Sequence, residues 1–67
     1  MQAPIKINRI PVVLEKTGLS RSTINRFINQ DPNFPKPIKI SSRAIGWLES
    51  EIDAWIESRV AASRTGL

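Results

Sequence analysis

The 67-residue sequence contains neither cysteine nor histidine. Without cysteine the chain has no disulfides and no thiolate metal sites, and without histidine it has no imidazole for metal binding or acid–base catalysis. No apolar run is long enough for a membrane span or for the core of a secretory signal. The sequence therefore predicts a small cytoplasmic domain without a cofactor, and its stability must come from a compact apolar core.

Positive charge is concentrated in the first two thirds of the chain. Residues 1–43 hold eight Lys or Arg against two acidic residues, a net charge of +6. Residues 44–67 hold two Arg against four acidic residues, a net charge of −2. A basic front and a mildly acidic back favour a polyanionic partner, and ordinary solvated surface charge is the alternative interpretation.

Two short helices around a tight turn are predicted within residues 12–30. Pro11 suits the first turn of a helix, and Gly18 suits the left-handed position at which a helix ends. Ser20 is a good N-cap for the second helix. The apolar residues of that helix have the spacing of a single stripe: Ile24, Phe27 and Ile28. Its remaining surface is basic or polar, so the pair has the pattern of a helix-turn-helix.

A β-hairpin is predicted after a proline-rich loop. Residues 38–40 and 44–47 alternate apolar and polar side chains on either side of a short turn. The alternation predicts that the isoleucines of the first strand face the core, that Lys39 lies on the outer side, and that Arg43 lies at the tip. Phe34, between prolines, is expected to fill the core.

The third helix is predicted from about Leu48 to Ala62, and the pattern leaves its start open between Leu48 and Ser50. The whole chain is interpreted as one domain that comprises an arm at residues 1–8, a core at 9–62 and a frayed tail at 63–67. The predicted fold class is mainly α with a small β-hairpin. It is a winged helix-turn-helix with three helices and a two-stranded antiparallel wing.

This arrangement suits double-stranded DNA, with the second helix in the major groove and the hairpin on the flanking backbone or minor groove. Arg and Asn can bind guanine and adenine edges in bidentate fashion, and hydroxyls suit phosphate oxygens. The candidate residues of the recognition helix are Ser20, Arg21, Ser22, Thr23, Asn25 and Arg26. Those of the wing are Lys36, Lys39, Ser41, Ser42 and Arg43. The alternative is that the arginines only solubilise the surface. Trp47 and Trp55 lie in apolar stripes and are expected to pack in the core, with base stacking as the alternative.

Catalysis is not expected. Glu49 and Asp53 are a carboxylate pair on a predicted helix surface, where so small a domain implies no cleft. The sequence has no glycine-rich phosphate loop and no cluster of metal ligands. An interaction module is the alternative function, in which the acidic third helix binds an integrase or a transcription protein.

The residues also resemble a known family of small prophage-associated regulators, the AlpA family, which is related to phage excisionases and to the winged-helix headpiece of MerR-type proteins. The similarity covers about residues 9–59. Its pieces are Ile10-Pro11, Lys16-Thr17-Gly18-Leu19-Ser20-Arg21-Ser22-Thr23-Ile24, Phe34-Pro35-Lys36-Pro37-Ile38-Lys39-Ile40, Arg43-Ala44-Ile45-Gly46-Trp47 and Glu51-Ile52-Asp53-Ala54-Trp55-Ile56.

The resemblance implies a bacterial or phage-encoded cytoplasmic protein that binds DNA near an integrase gene or attachment site. Such proteins act as transcriptional regulators, as excisionases, or as both, and the implied protein partners are an integrase, RNA polymerase or further copies on repeated sites. Two departures affect the expected contacts. Asn25 stands where members often have an aromatic residue, commonly Tyr, and Ser41-Ser42 stands where the hairpin turn is often glycine-rich.

Overall fold

Residues 5–65 are described by a computed structural model of the protein. Over this range the chain forms three helices and three strands, in agreement with the fold class expected from the sequence. In chain order they are β1 (Ile7–Asn8), α1 (Ile10–Thr17), α2 (Arg21–Gln30), β2 (Ile38–Ser41), β3 (Ala44–Leu48) and α3 (Glu49–Thr65). No helix within residues 5–65 is long and apolar enough to cross a membrane.

The sheet has three antiparallel strands in the order β1-β3-β2, so the predicted hairpin gains one strand. The addition is β1, which pairs Ile7 with Leu48 and Asn8 with Trp47. It lies within the arm expected at residues 1–8, of which 1–4 fall outside the described range. The sequence predicted only an arm here, because a strand of two residues is too short for an alternating pattern to show that it pairs.

The orientation predicted for β2 is wrong. Ile38 pairs with Gly46 and Lys39 pairs with Ile45, and cross-strand partners share a face of a sheet. Lys39 therefore lies on the face of Ile45, while Ile38 and Ile40 are 37% and 48% exposed on the opposite face. The prediction treated each strand separately, whereas the register of the pair decides which face is shared.

The isoleucines of the outer face cover a gap left by glycine. A Cβ atom added to Gly46 would lie 2.5 Å from Ile7 Cγ2 and 3.1 Å from Ile40 Cδ1. The central strand thus accepts apolar side chains from both neighbours above a position that has no side chain of its own. This contact explains why β2 places isoleucines on that face although they remain partly exposed.

The core receives side chains from every helix, from the central strand and from the loop before β2. Its buried members are Val13, Ile24, Phe34, Trp47 and Ile52. The Phe34 ring lies 5.1 Å from that of Trp55 and 6.3 Å from that of Trp47, with edge-to-face geometry in both pairs. The Trp47 indole N–H donates to the Pro35 carbonyl at 3.0 Å. The expectation that Phe34 and the tryptophans serve the core is confirmed.

The third helix begins at Glu49, between the two starting points left open by the sequence, and it directly follows β3. It extends to Thr65, beyond the expected end near Ala62. Residues 63–65, expected in the tail, therefore continue the helix, and residues 66–67 fall outside the described range. The stretch 61–65 is exposed, so the extension adds little to the core.

Candidate nucleic-acid interface

The turn between α1 and α2 fixes the direction of the second helix. Gly18 adopts a left-handed conformation with φ of 72°, and its N–H donates to Leu14 O at 2.8 Å. The Thr17 hydroxyl donates to Val13 O and accepts from Leu19 N, at 2.8 and 3.3 Å. These contacts satisfy backbone groups left over at the end of α1. The helix ending predicted at Gly18 is confirmed.

A network of hydroxyls caps the start of α2. Ser20 Oγ accepts from the Thr23 backbone N–H at 3.2 Å, which confirms the predicted N-cap. The same oxygen lies 2.9 Å from Thr23 Oγ1 and 3.2 Å from Ser22 Oγ. Ser20 and Thr23 therefore hold the end of the helix, and only Ser22 of the three is both exposed and outside the backbone cap.

The two sides of α2 differ sharply in exposure. Ile24 is fully buried, and Phe27 and Ile28 pack against the core. The side chains predicted to read DNA from this helix are exposed, and they are Arg21, Ser22, Asn25 and Arg26. The apolar side anchors the helix and leaves a polar, positively charged surface available to a ligand.

The tip of the β2–β3 hairpin is exposed and turns without glycine. Ser41, Ser42 and Arg43 are all solvent-accessible, and the Arg43 backbone N–H donates to Ser41 Oγ at 3.5 Å. Within residues 5–65 no residue other than glycine has a positive φ. The register of the hairpin is irregular between Lys39 and Ser41, next to this turn.

Three arginines from different parts of the chain line one cavity of about 290 Å³. Arg9 precedes α1, Arg21 opens α2, and Arg43 lies at the tip of the hairpin, which we call the wing. The cavity is completed by apolar atoms of Ile10, Pro11 and Ile45. The structure therefore joins α2 and the wing through a single arginine-lined cavity, although Arg21 and Arg43 are 22 positions apart in the sequence.

Arg9 was not among the residues predicted from the sequence. It precedes Ile10-Pro11, and the sequence signal there concerned only the start of a helix. In the structure its Nε–H donates to the Ile45 carbonyl at 3.1 Å, across 36 positions of sequence. Local patterns do not reveal such a contact, and the basic character of residues 1–43 was the only hint.

The other predicted wing residues lie elsewhere. Lys36 and Lys39 are exposed, and neither lines the arginine cavity. Lys39 shares a sheet face with Ile45, which does line it, so the register directs this lysine toward the side of the cavity. Lys36 lies in the loop before β2, and no contact connects it with the cavity.

The acidic helix α3 uses two of its carboxylates within the molecule. Lys16 Nζ lies 2.6 Å from Asp53 Oδ1 and 3.5 Å from Glu49 Oε2. The hydrogen bond to Asp53 is the main cause that raises the pKa of Lys16 above its ordinary value of 10.5. Glu49 also accepts from Asn8 Nδ2 at 3.4 Å. Among residues 5–65 these are the ion pairs formed, so no side-chain carboxylate in that range pairs with the three cavity arginines.

The sequence model of a family described as "Prophage CP4-57 regulatory protein (AlpA)" matches residues 6–60. The chain belongs to the AlpA family. The match covers both helices of the turn, the sheet and most of α3. The resemblance noted from the sequence is thereby confirmed, and the arginine cavity lies entirely inside the matched segment.

Two relatives of this AlpA-family chain come from a bacterium and a phage. A protein of Escherichia coli K12 named "DNA-binding transcriptional activator AlpA" is 36% identical over 63 residues, covering 87% of this chain and 90% of the relative. "Uncharacterized protein ORF88" of enterobacteria phage P4 is 38% identical over 58 residues, covering 87% of this chain and 65% of the relative. No solved structure matches the chain with significance.

Proposed function

We propose that this AlpA-family protein binds double-stranded DNA with sequence specificity and regulates transcription, excision of a prophage, or both. The observation that carries the proposal is the arginine cavity, which connects the exposed face of α2 with the tip of the wing. A winged helix places its recognition helix in the major groove and its wing beside it, so a positive junction between the two faces the DNA backbone.

The exposed residues of α2 divide into two roles. Arg21 and Arg26 can donate two hydrogen bonds to guanine O6 and N7, and Asn25 can pair with adenine N6 and N7. Ser22 and the capped N-terminus of the helix, held by Ser20 and Thr23, suit a phosphate oxygen. The asparagine at position 25 is small, so it reaches a base edge only if the helix sits deep in the groove.

The wing supplies contacts that do not depend on the DNA sequence. Lys39, Ser41, Ser42 and Arg43 are exposed where they can meet the flanking backbone or minor groove, and Lys36 approaches from the preceding loop. The name of the Escherichia coli relative supports DNA as the partner. A protein of this kind acts in the cytoplasm, beside the host or phage genome.

A selection of binding sites from random duplexes, followed by NMR titration with the selected duplex, tests the proposal. We expect chemical-shift changes in α2 and in the wing. Arg26→Ala should weaken binding to the selected duplex by about 1–3 kcal/mol and relax the preference at one base pair. Arg64→Ala, which removes the same charge from the far end of α3, serves as the control. Shift changes that avoid both α2 and the wing would refute the proposed surface.

Regulation and excision require different consequences of the same binding. An excisionase bends attachment-site DNA and biases an integrase toward excision, whereas a regulator needs only an operator near a promoter. A circular-permutation gel measures the bend, and in vitro excision with the integrase encoded beside the gene measures the bias. A bend together with excision assigns the excisionase role. If neither is observed, transcriptional regulation is the remaining role. Cooperative binding to repeated sites would appear in the same gels.

A second candidate function is docking on an integrase or on a transcription protein. The observation in its favour is an apolar groove of about 230 Å³ between α2 and α3, lined by Leu19, Phe27, Trp55, Ile56 and Val60 with Lys16, Thr17 and Arg59 around them. Because Glu49 and Asp53 are paired with Lys16, the acidic surface of α3 is smaller than the sequence suggested. Binding to such a protein that persists at high salt, without affinity for duplex DNA, would favour this function.

A further inference from the structure

We propose that Arg9, Arg21 and Arg43 form one phosphate-binding site, and that its ligand is a single phosphodiester of the DNA backbone. The inference rests on the proposed function and deepens it, because it names the group that the junction between α2 and the wing recognises. It also assigns a binding role to Arg9, which lies outside both the recognition helix and the wing.

The charge of the cavity is the first argument. Its lining contains three guanidinium groups and no carboxylate. Within the described part of the chain, the acidic residues that form ion pairs do so with Lys16, on α1 and away from this lining. Three like charges around one cavity repel one another, and the attraction of each to a bound anion offsets that repulsion. The charge of the lining therefore favours a phosphate.

The second argument is the way in which Arg9 is held. Its Nε–H donates to Ile45 O at 3.1 Å, and this bond does not involve the two terminal nitrogens. A guanidinium carries five N–H donors in a planar fork, so four donors on the terminal nitrogens can still serve an anion. Because the side chain is already oriented by its own hydrogen bond, less conformational entropy is lost when a phosphate binds.

The third argument is the origin of the three residues. Arg9 is the N-cap residue of α1, Arg21 is the first residue of α2, and Arg43 belongs to the wing turn. A ligand held by all three fixes the angle between the recognition helix and the wing. A phosphodiester between the major groove and the flanking backbone has the charge and the position for this contact.

The test uses the full-length protein and begins with salt dependence on a duplex of random sequence. Each phosphate contact contributes about 0.9 to the slope of log K against log salt concentration. Arg9→Gln should reduce the slope by at most about that amount, as should Arg43→Gln, and the double variant should not exceed it, because the two side chains share one phosphate. Arg64→Gln, an equal loss of charge at the end of α3, should leave the slope unchanged. If Arg9→Gln and wild type have the same slope, the proposal is overturned. If wild type does not bind duplex DNA at all, the proposed function is overturned instead.

The second arm identifies the phosphate. In the selected duplex, single phosphates are replaced in turn by neutral methylphosphonates. For wild type, one replacement should lower the affinity roughly tenfold or more, as expected for loss of a charge-assisted hydrogen bond. Arg9→Gln and Arg43→Gln should both be much less sensitive to that same replacement than wild type. If the two variants lose sensitivity at different phosphates, or at none, the arginines do not share a ligand and the proposal fails.

The third arm separates DNA from free phosphate as the source of the anion. Inorganic phosphate is titrated into the isolated protein, and the Arg9 and Arg43 signals are followed by NMR. Weak binding in the millimolar range, together with the methylphosphonate effect, supports a DNA phosphate. Micromolar binding of inorganic phosphate without that effect would assign a free anion and overturn the proposal. Thermal unfolding of Arg9→Gln checks that this variant is folded. If it is unstable, Arg43→Gln serves as the test instead, because the Arg43 side chain makes no hydrogen bond with the described chain and only its backbone N–H does.

Discussion

Single atoms decide how closely the strands of the sheet approach one another. At Gly46 the missing side chain lets Ile7 Cγ2 and Ile40 Cδ1 lie over the central strand, and Asn8 O is 3.1 Å from the position of an added Cβ. Ile7 is β-branched, so its Cγ2 atom is close to the backbone and cannot easily turn away. The glycine therefore permits the third strand to pair.

Gly46→Ala should lower the free energy of unfolding by about 1–3 kcal/mol, the usual cost of forcing an extra methyl group into a packed contact. Urea unfolding measures the change. In an Ile7→Ala background the same substitution should cost less, because the atom 2.5 Å away has been removed. An equal cost in both backgrounds would show that Ile7 is not the source of the crowding.

The residues that set helix ends could be predicted because their signals are local. Pro11, Gly18 and Ser20 each act within four positions of the bond they make or terminate. Arg9 could not be predicted, since its partner Ile45 is 36 positions away and is reached only when the sheet has formed. For the candidate site, the sequence thus indicated Arg21 and Arg43 separately and could not show that one cavity joins them.

At the scale of elements, a lysine connects the first helix to the third. Lys16 of α1 bonds Asp53 of α3 at 2.6 Å and lies 3.5 Å from Glu49 at the start of the same helix. The pairing orients α3 behind the helix-turn-helix and accounts for two of its four acidic residues. The sequence predicted an acidic rear helix, and the structure shows that half of this charge serves internal contacts.

This pairing predicts a pH dependence at alkaline pH. Because the hydrogen bond to Asp53 raises the pKa of Lys16 above 10.5, its contribution to stability is full below pH 10.5 and is lost as pH rises through the folded-state pKa. Lys16→Met should have a lower urea midpoint than wild type at neutral pH, and the difference should shrink as the pH rises above 10.5.

Lys39→Met, which removes an exposed lysine from β2, is the matched control and should show no such change. A difference between Lys16→Met and wild type that persists unchanged to pH 12 would argue that the lysine stabilises the fold by packing rather than by charge.

The faces of β2 show what the sequence could not decide about an element. The alternation at residues 38–40 was visible, but its direction was assigned incorrectly. The outcome depended on Gly46, whose lack of a side chain made the outer face the better place for Ile40. Alternation predicts that two faces exist, and only the register with the partner strand determines which one is inside.

At the scale of the molecule, one core of five buried side chains supports all three helices. Phe34 is its centre, since its ring contacts those of Phe27, Trp47 and Trp55. The core of a domain of this size supplies about 3–5 kcal/mol of stability, and loss of a buried Phe ring costs about 3–5 kcal/mol. A substitution at Phe34 should therefore destabilise the helices and the sheet together.

Phe34→Ala should leave much of the protein unfolded at 25 °C, whereas Phe34→Leu should cost less and remain folded. For wild type and Phe34→Leu, far-UV circular dichroism and tryptophan fluorescence should report the same urea transition, because a single core unfolds cooperatively. Separate transitions by the two probes would mean that the sheet and the helices have independent stability. An excess of selected duplex should restore the fold of Phe34→Ala by mass action.

The third helix follows the central strand of the sheet with no residue between them, since β3 ends at Leu48 and α3 begins at Glu49. The Glu49 N–H also donates to Lys6 O at 2.8 Å, which ties the junction to the first strand. Because no loop separates them, the strand itself sets the direction in which the helix leaves the sheet.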